Sequence, residues 1–192
     1  MDIFAHGLWA GIGSKIANDS SALNSRNIKL KTFWTMFWGV FPDLFAFTIP
    51  FVWLFWNLAT GGIKVGDWPH PDATEPTSHD RWPVFNLASE LYNYSHSLAV
   101  FALIVILVII VRRTIKSKNI IPWAMSGWLL HILIDVPSHS YKFYPTPVFY
   151  PLSNWKFDGM SWADARFMIV NYSALLLVGI WLYAKNKRKR LS

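Results

Sequence analysis

The segment LAVFALIVILVIIV, Leu98 to Val111, decides the fold: fourteen residues carry no polar side-chain atom, and the run stops at Arg112-Arg113. With Leu91 to Ser97 ahead of it, residues 91–111 reach the ~20 residues that a helix needs to cross a bilayer. Working outward, the same reading recurs. Residues 32–60 are strongly apolar and rich in Phe and Trp, with Pro42, Asp43 and Pro50 inside; 32–48 reads as a crossing and 50–60 as a continuation near the interface. Residues 120–136 lie between Pro122 and Pro137, and 167–184 run into Lys185-Asn-Lys-Arg-Lys-Arg190. Residues 3–17 are apolar but short, so they read as a crossing, re-entrant or interfacial helix. The expectation is an all-α, polytopic transmembrane bundle forming a single integral membrane domain over 1–192, with four or five spans.

Composition agrees. Hydrophobic residues make up 53% of the 192 and charged residues 15%, well under the quarter usual in soluble domains. The net charge of +7 is not a nucleic-acid signal. Thirteen of the 18 Lys/Arg are Lys15 and the runs 26–31, 112–118 and 185–190, each abutting an apolar stretch as positive-inside flanks do. No nucleic-acid partner is therefore expected; membrane lipids are. The rule places the basic runs and the C-terminus in the cytoplasm and the two loops, 61–93 and 138–165, outside. Met1-Asp2-Ile3-Phe4 lacks a positive n-region, so no cleaved signal peptide is expected. Without cysteine, a metal here has to be held by His, Asp or Glu.

Ionisable groups inside a bilayer are expensive, about 2.5–3.5 kcal/mol for an Asp at mid-helix on the mildest scale, and so point to function. Asp43, His131 and Asp135 lie within apolar stretches, and His6 and His96 at the edges of others. In Trp128-Leu-Leu-His131-Ile-Leu-Ile-Asp135-Val-Pro-Ser-His139 the first His and the Asp are four apart, hence on one helix face, where they can chelate one borderline metal such as Zn²⁺ with ligands from other helices. The bland alternative is a pair that only hydrogen-bonds. Ser95 or Asn93 is read as a cap for the helix that starts near His96. His70 and His79 read as solvated, and Ser97 is a poor nucleophile candidate.

The order of short motifs adds a resemblance. Ala5-His6-Gly7, Phe41-Pro42-Asp43, Tyr94-Ser95-His96-Ser97-Leu98, His131-Ile-Leu-Ile-Asp135 and Pro147-Val-Phe-Tyr-Pro151 together resemble the YdjM-like family of inner-membrane proteins described as metal-dependent hydrolases. The resemblance implies a metal centre of His6, Asp43, His96, His131 and Asp135. Phe45 stands where the family's second Asp would be, which tells against a second metal there, and Asn93-Tyr94-Ser95 replaces Gly-x-Thr ahead of the His, by the family's pattern. Residues 131–139 also resemble, faintly, the His-x-x-x-Asp helix of all-helical zinc phospholipases and nucleases.

The functional expectation is a membrane-embedded hydrolase that uses a divalent metal, Zn²⁺ by ligand type, to attack a lipid or lipid-linked ester or phosphoester. Asp43 or Asp135 would serve as general base and His139 would protonate the leaving group. The rival is a non-enzymatic membrane protein, a metal or proton carrier or a partner-binding scaffold, built on the same residues.

Overall fold

A computed structural model describes residues 1–64, 83–141 and 144–191, and among them there are helices and no strand. The helices are α1 (Ile3–Asn18), α2 (Ser21–Asn24), α3 (Thr32–Ala59), α4 (Pro83–Ser95), α5 (Leu98–Thr114), α6 (Ser126–Ser138) and α7 (Ala165–Leu191), with one 3₁₀ turn, Trp123–Met125, leading into α6. Two of them, α3 and α7, are long and apolar enough to cross a membrane, and the bent pair α4–α5 makes up to three. Large apolar side chains such as Phe33, Val52, Ile106, Leu176 and Leu177 point outward, the pattern of a lipid-facing surface. α1 and α6 are short. At 1.5 Å per residue α1 covers about 24 Å and α6 about 20 Å, against ~30 Å of hydrocarbon.

Several boundaries differ from the sequence expectation. Residues 32–59 form one helix that continues through Pro42 and Pro50, so 50–59 belong to the same element as the expected crossing 32–48. Within the expected outer loop 61–93, residues 83–93 are helical and belong to α4, while 65–82, with His70 and His79, lie outside the described residues. The expected crossing 91–111 is not one helix: α4 and α5 meet at a 63° bend at residues 96–97. Ser97 is the reason. Its hydroxyl accepts from the amides of Ala99 and Val100 at 3.1 and 3.3 Å, capping α5, and donates to the Tyr150 carbonyl at 2.6 Å. The Leu98 amide is then taken by the Val148 carbonyl at 2.9 Å. The cap is thus Ser97, not Ser95 or Asn93. The last expected crossing but one, 120–136, is helical only from Ser126, because Pro122 leaves residues ahead of it to a turn.

The bundle is drawn together by small residues. Gly39 faces α1 so closely that a Cβ would lie 2.6 Å from Ala10 Cβ and 3.1 Å from the His6 carbonyl. Gly127 lets α6 touch the backbone of α3, where a Cβ would lie 2.0 Å from the Thr35 carbonyl. Such contacts are how helices pack in lipid, where there is no hydrophobic drive between them. α7 lies against α1, and Trp9 Nε1 donates to Asn171 Oδ1 at 2.8 Å across that contact. Around Trp128 the packing is aromatic: its ring stacks on Trp38 at 5.8 Å and 3°, and its Nε1 donates to the Ser95 carbonyl at 2.6 Å. That bond fixes α6 against the end of α4, beside His96.

Candidate metal centre

Three helices and the elbow bring the ionisable residues to one buried place. Asp43, His96, His131 and Asp135 form a group whose ligand atoms all lie within 4.8 Å of one another and which could hold a metal ion. α3 supplies Asp43 one residue after Pro42. The proline ring clashes with the carbonyl four residues back and loosens the turn 38–42. In that turn the Gly39 carbonyl accepts His131 Nδ1–H at 2.7 Å. The elbow supplies His96, whose Nδ1 lies 2.9 Å from Ser95 Oγ and 3.2 Å from the Tyr92 carbonyl. α6 supplies His131 and Asp135 from adjacent turns of one face.

These bonds fix the tautomers. A carbonyl only accepts, so the proton of His131 is on Nδ1, and the same holds for His96. In the neutral rings Nε2 is then a lone pair. The two Nε2 atoms face each other at 2.9 Å. Asp135 Oδ2 lies 3.0 Å from His131 Nε2 and 3.4 Å from His96 Nε2, yet accepts no hydrogen bond. Asp43 Oδ1 closes the group at 3.4 Å from His96 Nε2 and 3.7 Å from His131 Nε2. With both rings neutral, four acceptor atoms converge with no proton among them, which repels unless a cation sits between. With Zn²⁺ bonds of about 2.0–2.2 Å to N and O, donors this close need only small shifts to close round one ion. The donor set, two imidazoles and two carboxylates, suits such a metal. All four side chains are buried, but Asp43 is 12% exposed where the other three are at 0%, so the group opens to its surroundings at Asp43.

His6 and His139 lie at the same carboxylate but at its other oxygen. His6 Nε2 is 2.9 Å and His139 Nε2 3.3 Å from Asp135 Oδ1. The amino group of Met1 is there too, donating to Asp135 Oδ1 at 2.6 Å and to His139 Nε2 at 2.7 Å. His139 Nδ1–H donates to the Tyr144 carbonyl at 2.8 Å, and the His6 ring stacks on His131 at 3.6 Å. Pro137 does not swing His139 away: the residue follows α6 in an extended conformation and turns back to the site. Of the candidate residues, Asp43, His96, His131 and Asp135 form the close group, and His6 and His139 meet it at Asp135 Oδ1, His6 also stacking on His131. Tyr92, stacked on His96 at 3.7 Å with its hydroxyl donating to the Tyr144 carbonyl at 2.8 Å, was not singled out from the sequence. Neither were the Gly39 carbonyl and the Met1 amino group; backbone groups carry no residue-type signal. Comparison with protein-family models, with curated proteins and with solved structures gives no match.

Proposed function

We propose that the protein is a membrane-embedded, metal-dependent hydrolase acting on a lipid or lipid-linked ester or phosphoester. The observation behind this reading is the pair of facing Nε2 atoms, 2.9 Å apart, whose Nδ1 protons are both spent on backbone carbonyls. A pair that served only to hold helices would share a proton. A cation held by His96, His131 and Asp135 would supply Lewis-acid polarisation and lower the pKa of a water towards about 7. Asp43, the most open of the four, would be the general base that accepts a proton from such a water. His139, beside Asp135 Oδ1, would be the group that protonates the leaving group. The motif order shared with the YdjM-like family supports the same class. Zn²⁺ is the metal the donors suit best.

The position of the site in lipid supports the substrate class. All the proposed crossings, α1 and α6 as partial ones included, make four or five passes, with the basic ends of α1, α5 and α7 in the cytoplasm as positive-inside predicts. The inner membrane is the setting that the resemblance implies. A Ser192→Cys variant of this cysteine-free chain is expected to react with an impermeant maleimide only in inside-out vesicles; labelling of intact cells would reverse the orientation.

A second reading concerns Asp135 Oδ1. His6, His139 and the Met1 ammonium all lie at that oxygen, so a second cation bound there would have to displace the ammonium. Metal analysis of purified protein separates the cases: one ion per chain means the ammonium stays, two ions with one lost in His6→Ala means it is displaced. For the function itself, Asp43→Asn is expected to keep its metal and lose turnover on phosphoester and ester lipids by about 10²–10⁴-fold, the worth of a general base. If wild-type protein takes up and releases metal but hydrolyses none of them, the carrier reading replaces the enzyme.

A further inference from the structure

Along α1 from Leu8 to Lys15, a cleft of about 420 Å³ opens between α1, the start of α3 and the end of α7. Its walls are apolar, with Leu8 and Ile12 on one side and Leu182 on the other, and its mouth carries Lys15 and Lys187. Gly179 makes the room: a Cβ built there meets no atom within 4 Å. Both lysines are exposed and have no acidic partner among the described residues. The only acid in residues 3–42 and 165–192 is Asp19, and Lys185 holds it at 2.8 Å. Lys185 also lies 5.2 Å over the Trp181 ring of its own helix, and its ion pair with Asp19, the C-cap of α1, ties the end of α7 beside α1.

We infer that this cleft binds one anionic glycerophospholipid, with an acyl chain against Leu8, Ile12 and Leu182 and the phosphate between Lys15 and Lys187. The charge argument selects the occupant. Two unpaired ammonium groups at the mouth of an apolar slot attract a negative headgroup, whereas a zwitterionic lipid brings its own cation with the phosphate. Basic pockets between membrane helices are a recurrent way to hold anionic headgroups. A slot bordered by a glycine admits a chain where bulkier side chains would close the helices on each other. The site is separate from the metal centre and rests on membrane residence, not on hydrolysis.

The test uses full-length protein, stripped of lipid in detergent and then offered phosphatidylglycerol and phosphatidylcholine in equal amounts, with bound lipid counted by native mass spectrometry. The expected result is one tightly held phosphatidylglycerol per chain. Lys15→Gln with Lys187→Gln should weaken its retention about 30-fold, from the worth of two basic groups at an anionic surface. Gly179→Leu, which leaves every charge in place and has space for its Cβ, should expel the lipid while the melting temperature stays within a few degrees of wild type. Equal retention of the two lipids by wild type, or undiminished phosphatidylglycerol on the Gly179→Leu protein, overturns the assignment.

Discussion

Changing Asp135 to Asn is expected to strip the protein of its divalent cation and of any hydrolytic turnover with it. The carboxylate is fully buried and both oxygens are engaged, Oδ2 with His96 and His131, Oδ1 with His6, His139 and the Met1 ammonium. An amide of the same shape has half the acceptor capacity and no charge, and its NH₂ would point at lone pairs or at the ammonium. Removing one partner from a buried ionic group costs about 3–5 kcal/mol, which as affinity is roughly a hundredfold to several thousandfold. Two measurements check this. Metal content after dialysis should fall from at least one ion per chain to near none. The metal-induced rise in melting temperature, which reflects about 2.7 kcal/mol at a hundredfold excess over Kd, should vanish. Retention of a full complement of ions by Asp135→Asn would sink the centre as drawn.

Gly127→Ala is expected to be the most damaging single methyl in the chain. Its Cβ would lie 2.0 Å from the Thr35 carbonyl oxygen and 2.9 Å from the Gly39 amide, and both are backbone atoms that cannot rotate aside. Overpacking commonly costs about 1–3 kcal/mol, and a clash with main chain belongs at the top of that range. The effect reaches the site as well. α6 must retreat from α3, and the bond from His131 Nδ1 to the Gly39 carbonyl stretches with it. The variant should melt well below wild type and bind metal more weakly, whereas Gly13→Ala, whose Cβ would meet only Leu130 Cδ2 at 3.5 Å, should change neither. A Gly127→Ala protein with unaltered melting would mean that the helices are not in backbone contact.

The sequence announces what depends on side-chain polarity and hides what depends on backbone. α3, α5 and α7 are legible as apolar runs, with basic runs closing the last two. α4 is not, because Asn86, Ser89, Glu90 and Asn93 give it the look of a loop although one face packs on α3. The elbow is hidden for a related reason: residues 91–111 read as one continuous crossing, and the break comes from Ser97 and the segment 148–150 competing for backbone groups. In the site, His131 and Asp135 stand out at helical spacing, and His96 and Asp43 stand out as polar residues in lipid. Which oxygen of Asp135 each histidine meets follows from the crossing of α1, α3 and α6. That crossing is set by Gly39 and Gly127, two residues without a side chain.

Because His6 and His139 meet at one carboxylate, the centre has a timetable. The residues that close on Asp135 are spread from position 6 to position 139. At about 5–20 residues per second, a ribosome takes roughly 7–27 s to make the stretch between them. Throughout that interval His6 and Asp43 have no partner from α6, and unpaired ionisable groups are poorly tolerated in hydrocarbon. The first helix can pack on the third early, but His6 meets its carboxylate only when the sixth helix arrives, and α7, which gives no residue to the cluster, follows last.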